Sequence, residues 1–339
     1  MALISIIIPV YNGGTAFKTC LQSLELYRPS TTSLSTEVIV VADGCTDGSD
    51  LLAEQFGATV LKTTSPGGPA RARNIGAYQA TGEILFFIDA DVALHSTTIQ
   101  QVADLFQAEP DLAAAIGSYD DEPGSLNFLS QYKNLFHHYT HQTSNEEAST
   151  FWGACGAIRR QVFQKVGGFD EHYTKPSIED IELGYRLKDQ GYSIRLCKSI
   201  YVKHLKRWEP LSLLRAEIFY RALPWTELLL SRKQASNDLN LKASTRFSVV
   251  LVFSLLLASG LSYWWHPGLF LAAGSLCCLM LINWPVYRFF WKKRGPIFTL
   301  KVLPWHWLYL FYSGASYVLG NLHFYAQKMN RRLKQAVSH

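Results

Sequence analysis

No aspartate or glutamate follows Asp238 in this 339-residue chain, and that asymmetry divides it into two physically different parts. Of the 32 lysines and arginines, 11 lie in residues 239 to 339, leaving 21 bases against 27 acids before that point. The net charge of +5 therefore conceals −6 in the first part and +11 in the second. The long apolar runs also fall in the basic part. Residues 247 to 265 and 268 to 287 each pass without a charge, about the 20 residues that cross a bilayer core. Trp264, Trp265, Trp284 and Tyr287 stand near the ends of these runs, as an aromatic belt requires. Two buried helices of a soluble core are the alternative, but core helices rarely run so long uncharged.

Only His266 and Pro267 separate the two runs, so a helical hairpin is expected, with both outer ends on one side of a membrane. Lys292, Lys293 and Arg294 follow the second run, and the positive-inside rule puts that side, and residues 1 to 238 with it, in the cytoplasm. The expected location is the inner or plasma membrane if the chain is bacterial. A third uncharged stretch, residues 302 to 327, reads as interfacial, re-entrant or spanning. A full crossing would carry Arg331, Arg332 and Lys334 outside, and Pro304, His306, Asn321 and His323 dilute its apolarity, so the interfacial or re-entrant form is favoured. The opening "MALISIIIPVYNGG" lacks the basic region and apolar length of a signal peptide. The six cysteines show no CxxC spacing and are read as free thiols.

Short apolar runs alternate with helical periodicity through the first part. Strands are expected at 4–12, 37–44, 58–64 and in "EILFFIDAD", with helices near 15–27, 49–56 and 69–80. Such βαβ units indicate an α/β fold with a mostly parallel sheet covered on both faces. Ligands of such sheets bind outside the carboxyl ends of the strands. Pro9, Tyr11, Asp43, Asp89 and Asp91 fall there. No GxGxxG follows the first strand, so a dinucleotide site lacks its main support. On extended chain Asp89 and Asp91 would point the same way, and two carboxylates so close become tolerable around a hard divalent cation such as Mg²⁺ or Mn²⁺. The plainer alternative is a strand-end turn with two solvated acids.

Five blocks in order, "SIIIPVYNGG", "VIVVADGCTDGS", "GGPARARNIGAYQATGEILFFIDADV", "WGACGAIRRQVFQKVGGFDE" and "EDIELGYRLKDQGY", resemble the family 2 glycosyltransferases, which have the GT-A fold. The resemblance covers nearly all of residues 3 to 205. It implies an inverting sugar transfer from a nucleotide-sugar donor, UDP- or GDP-linked, to a lipid-linked or glycan acceptor at the membrane, with Mg²⁺ or Mn²⁺ as cofactor and no nucleic-acid partner. By resemblance Pro9, Tyr11 and Asp43 hold the nucleotide base, Arg73 the diphosphate, Asp89 the ribose, and Asp91 and His204 the metal. Asp180 becomes the catalytic base, with Trp152, Gly153 and Glu179 on the acceptor side. Each has a plainer reading. "DGCTDGS" is turn chemistry, Arg71 and Arg73 form a basic helix face, and Ser177 followed by Glu179, Asp180 and Glu182 is an ordinary helix start.

The resulting plan is a GT-A catalytic domain at 1–208, an amphipathic interfacial linker at 209–238 and a membrane region at 239–339. Two other classes remain. A haloacid-dehalogenase-type phosphatase also begins with a strand ending in DxD, but wants Thr or Val where Ala93 stands. A non-catalytic nucleotide-binding scaffold would bind without turnover.

Overall fold

The computed structural model describes residues 3–24, 34–232 and 242–337. The expected end of the first helix at 25–27 and of the linker at 233–238 lie outside the described residues. The chain divides into two compact units, Met1–Glu209 and Pro210–His339.

In the first unit β1 (Ile4–Val10), α1 (Gly14–Leu24), β2 (Thr36–Asp43), α2 (Ser49–Gln55), β3 (Thr59–Thr63), α3 (Pro69–Gln79) and β4 (Ile84–Ile88) follow one another as the apolar runs and helical periods predict. Then come β5 (Val92–Leu94), α4 (Thr98–Ala108), β6 (Ala114–Tyr119), α5 (Phe128–Gln142), β7 (Cys155–Arg159), α6 (Arg160–Lys165), α7 (Glu179–Asp189) and β8 (Ile194–His204). The eight strands form one sheet in the order β3-β2-β1-β4-β7-β6-β8-β5. The β3-β2-β1-β4 half is parallel, and β6 pairs parallel to β8. Antiparallel pairs β4–β7, β6–β7 and β5–β8 make the other half mixed.

Strand residues alternate between two cores, because successive side chains leave a strand on opposite faces. Ile6, Ile8, Val40, Phe86 and Ile88 pack with Phe17 and Leu21 of α1 and Ile99, Val102 and Phe106 of α4. Ile7, Val41, Leu85 and Phe87 pack on the other face with Ala70 and Ala77 of α3, Phe163 of α6 and Leu183 of α7. Both faces being buried explains why these strands read as continuous apolar runs.

The second unit is helical: α8 (Pro210–Arg215), a π-helical stretch (Ala216–Ala222), α9 (Leu223–Arg232), α10 (Ala243–Leu261), α11 (Gly268–Ile282) and α12 (Trp284–Val337). α10, at 19 residues, is long and apolar enough to cross a membrane. The second apolar run departs from expectation. It is split at Asn283, and α11 meets the part of α12 up to Ala326 at a bend of 59°. Asn283 Nδ2 donates to Leu279 O and to Ser248 Oγ of α10, while Pro285, which has no N–H, sits where a new helix begins. The link between α10 and α11 spans residues 262–267 rather than two, because Trp264 and Trp265 turn back onto Leu261 O. The third apolar stretch lies within α12, whose backbone leaves helical geometry once, at Gly295 (φ 81°), just before Pro296.

Candidate active site

Register brings the acidic residues together. β2, β1 and β4 run parallel, so Tyr11, Asp43 and Asp89 emerge along one rim. Antiparallel β7 pairs Cys155 with Ile88, which places Trp152 and Gly153 just past the end of β4. Antiparallel β8 pairs His204 with Val92, and Leu205 N donates to Asp91 O at 2.8 Å. Asp89 and Asp91 do not sit on extended chain. Val92 N donates to Asp89 O at 3.1 Å, closing a turn, so the i, i+2 alternation of a strand is not what aims the two carboxylates.

Their partners differ. Asp89 Oδ1 accepts from Arg73 Nη2 at 2.7 Å. Asp91 Oδ2 lies 3.6 Å from His204 Nε2, too far for a hydrogen bond. Burial pushes the Asp91 carboxyl up, and the neighbouring His204 and Lys206 more than offset this, holding it down at about 2. Two donors each about 2.1 Å from one small cation lie at most about 4.2 Å apart, so this pair fits a shared ion. Among the described residues no group of three or more His, Cys, Asp or Glu side chains makes a ready cage. Mg²⁺-like ions need none, since they keep waters and take substrate phosphates as further ligands. The His204 ring is fixed, with Nδ1 2.6 Å from Asn134 Oδ1 and Tyr119 stacked on its face at 4.4 Å and 9°.

Arg73, expected against a diphosphate, is committed elsewhere. Only 4 % exposed, it donates to Asp89 and, through Nη1 at 2.8 Å, to Glu179 Oε1. Burial alone would favour the neutral form, but Asp89, Glu179 and Asp180 together raise its pKa further and keep it cationic. It is a strut beneath the site. Gly153 passes directly above, where a Cβ would come within 2.9 Å of the guanidinium carbon, so the loop needs glycine there. Glu179, expected on the acceptor side, is equally buried and also takes the Ser177 N–H at 2.9 Å. The N-cap of α7 is Ile178, not Ser177.

Asp43, expected against the base, is 4 % exposed. Its oxygens accept from Thr63 Oγ1 and from the Gly67 and Gly68 N–H groups at 2.8–3.0 Å. A carboxylate offers about four acceptor sites, and here they serve to close the loop into α3. Tyr11, by contrast, is 60 % exposed at the end of β1, with Pro9 half-buried behind it. Asp180 Oδ2 accepts from Gly153 N at 3.1 Å and Oδ1 from Ile181 N at 2.8 Å, which ties the start of α7 to the loop over the rim. Glu182 is held by Arg186, which also grips Val166 O and Gly168 O. Trp152 packs edge-on against Tyr119 at 4.7 Å and beside His137 and His141. Asn134 and Tyr119 escaped the sequence reading; the signal was the stripe Ser130, Asn134, His138, His141, polar residues at helical spacing along α5.

A two-sided α/β sheet with an acidic rim, an Asp–His pair and a carboxylate on the facing helix agrees with the GT-A fold that the sequence resembles. Residues 5–167 match the glycosyl transferase family 2 model and residues 133–207 that described as N-terminal domain of galactosyltransferase; the chain carries a family 2 glycosyltransferase domain. A curated relative, glycosyltransferase AglE of Haloferax volcanii, is 26% identical over 215 residues, 61% of this chain and 68% of the relative. Glycosyltransferase GlyG of Streptococcus pneumoniae is 31% identical over 136 residues, 37% of this chain and 43% of the relative, so the chain spans less than half of that protein. Among solved structures, the mannosyltransferase PcManGT of Pyrobaculum calidifontis, in complex with GDP-Man and Mn²⁺, superposes with a TM-score of 0.56 at 16% identity, covering 94% of this chain and 87% of that one.

Proposed function

We propose that this protein is a metal-dependent, inverting glycosyltransferase that moves a sugar from a UDP- or GDP-linked donor to a lipid-linked or other membrane-associated acceptor. The observation that carries this reading is the Asp91–His204 pair, 3.6 Å apart on the rim beside Asp89 and fixed in place by β5–β8 pairing. The Mn²⁺ and GDP-Man of PcManGT support the same donor and ion chemistry here. The family match leaves the phosphatase alternative without support.

Tyr11 offers an exposed aromatic face to the nucleotide base. Asp89, steadied by Arg73, has a carboxylate oxygen for the ribose hydroxyls. Asp91 and His204 would hold the divalent ion, which when bound neutralises charge developing on the departing nucleoside diphosphate. Asp180 takes the proton from the acceptor hydroxyl as its oxygen bonds to the sugar's anomeric carbon and the bond to the phosphate oxygen breaks. The Gly153 N–H keeps that carboxylate aimed at the rim. The loop from Trp152 to Gly156 lines the acceptor side.

Placement in a membrane rests on α10 and the bent α11–α12 pair together with the acid-free, +11 second part. The cytoplasmic side for the first unit follows from the positive-inside rule. The test is a donor screen: purified protein with Mn²⁺ or Mg²⁺ and a panel of nucleotide sugars, read by released nucleotide. Slow metal-dependent release from one or two donors is expected; no release from any donor, with or without added lipid acceptors, contradicts the proposal.

A further inference from the structure

Helix α5 presents a stripe of buried polar side chains to β6 and β8, and three of its four members serve the backbone. Ser130 Oγ accepts from Trp208 N at 2.7 Å, His138 Nδ1 donates to Tyr119 O at 2.7 Å, and His141 Nδ1 donates to Gly117 O at 3.1 Å. The fourth, Asn134, is 1 % exposed and meets a side chain instead, that of His204.

We infer that Asn134 is the positioning residue that presents His204 to the divalent ion, by fixing its tautomer and ring plane. The inference rests on the metal reading above. A histidine binds a metal through a ring nitrogen that carries a lone pair, so Nε2 can serve only if the proton sits on Nδ1. With Oδ1 facing it at 2.6 Å, Asn134 accepts that Nδ1–H and leaves the Nε2 lone pair toward Asp91. The opposite amide orientation would donate to Nδ1, move the proton to Nε2 and turn His204 into a hydrogen-bond donor to Asp91, closing the site to an ion. Asn134 Nδ2 is buried with no partner among the described residues, which costs about 1–3 kcal/mol. Tyr119, stacked on the imidazole, removes the remaining rotation about the ring. A ligand histidine whose other nitrogen is bonded to a fixed acceptor is the usual arrangement that orients metal sites.

The test uses the full chain in detergent and Mn²⁺ as the probe, with UDP or GDP present and free Mn²⁺ read by electron paramagnetic resonance. Asp91→Ala and His204→Ala test the metal reading itself: both should abolish tight Mn²⁺ binding, and wild-type affinity in both would remove the site. Asn134→Leu, near in size but unable to accept, should weaken Mn²⁺ about 10–100-fold. Asn134→Asp, which can only accept, should bind Mn²⁺ close to wild type or tighter. A purely structural role predicts the reverse order, because a carboxylate at so buried a position damages packing more than Leu does. Loss of Mn²⁺ in the two ligand variants together with wild-type affinity in Asn134→Leu, or an Asp variant no better than Leu, overturns the role of Asn134 and leaves the metal reading standing. Thermal unfolding of each variant is measured alongside, and the comparison of Asp with Leu is made on folded protein.

Discussion

Glu179 and Asp180 are neighbours in sequence and opposite in circumstance. Glu179 is buried and locked under the loop by Arg73 and the Ser177 N–H, while Asp180 is half-buried and accepts from the Gly153 and Ile181 N–H groups. Asp180→Asn should therefore leave nucleotide binding intact and lower transfer by about 10²–10⁴-fold, the usual share of a general base. Equilibrium binding and acceptor-dependent turnover measured on the same preparation separate the two, and full transfer by the variant would remove Asp180 from the role. Arg73→Met leaves Glu179 buried without its cation and should cost about 3–5 kcal/mol of stability. Adding Glu179→Gln should recover part of that loss in urea unfolding. The sequence showed a guanidinium at the start of a helix, which is also how a phosphate-binding arginine looks. One of its two carboxylate partners, Glu179, lies 106 positions away, and only the fold brings it to the guanidinium. Asp43 has partners that were hidden for a related reason: the Gly67 and Gly68 N–H groups that bond its oxygens belong to a loop whose path residue types do not reveal.

At the scale of elements, β1 to β4 and the helices between them were legible, because strands buried on both faces leave continuous apolar runs and helices leave a 3.6-residue period. Two strands of the other half were not. β7 enters antiparallel next to β4, and β5 is a three-residue strand that follows a turn at Asp89–Asp91. Neither has the length or alternation to announce itself. Glycines at the loop into α3 separate the two kinds of constraint. Gly68 has φ 92° and a Cβ there would lie 2.4 Å from Thr174 O, whereas a Cβ on Gly67 meets only the flexible end of Arg71. Gly68→Ala should lose about 1–3 kcal/mol or more of stability in thermal or urea unfolding, and Gly67→Ala distinctly less. Equal losses would mean the loop adapts and does not impose the left-handed turn.

For the whole molecule, the charge asymmetry changes after Asp238 whereas the compact units divide after Glu209, so residues 210–238 carry acids yet group with the basic second unit. The apolar runs were visible as composition, but the break at Asn283 came from a side chain bonding to its own helix and to Ser248, which hydropathy does not register. The full chain should sediment with membranes and resist a carbonate wash, while a chain ending at Glu209 should stay in the supernatant. Recovery of the full chain in the soluble fraction would contradict the membrane placement. The central claim is that an ion held by Asp91 and His204 carries the diphosphate of the donor. The most direct measurement is the affinity for UDP and GDP with Mn²⁺ and with EDTA, in the wild type and in Asp91→Ala. The account predicts that EDTA weakens wild-type binding about as much as the substitution does, and that the variant no longer responds to Mn²⁺. A variant whose nucleotide affinity still rises with Mn²⁺ as the wild type's does would contradict it.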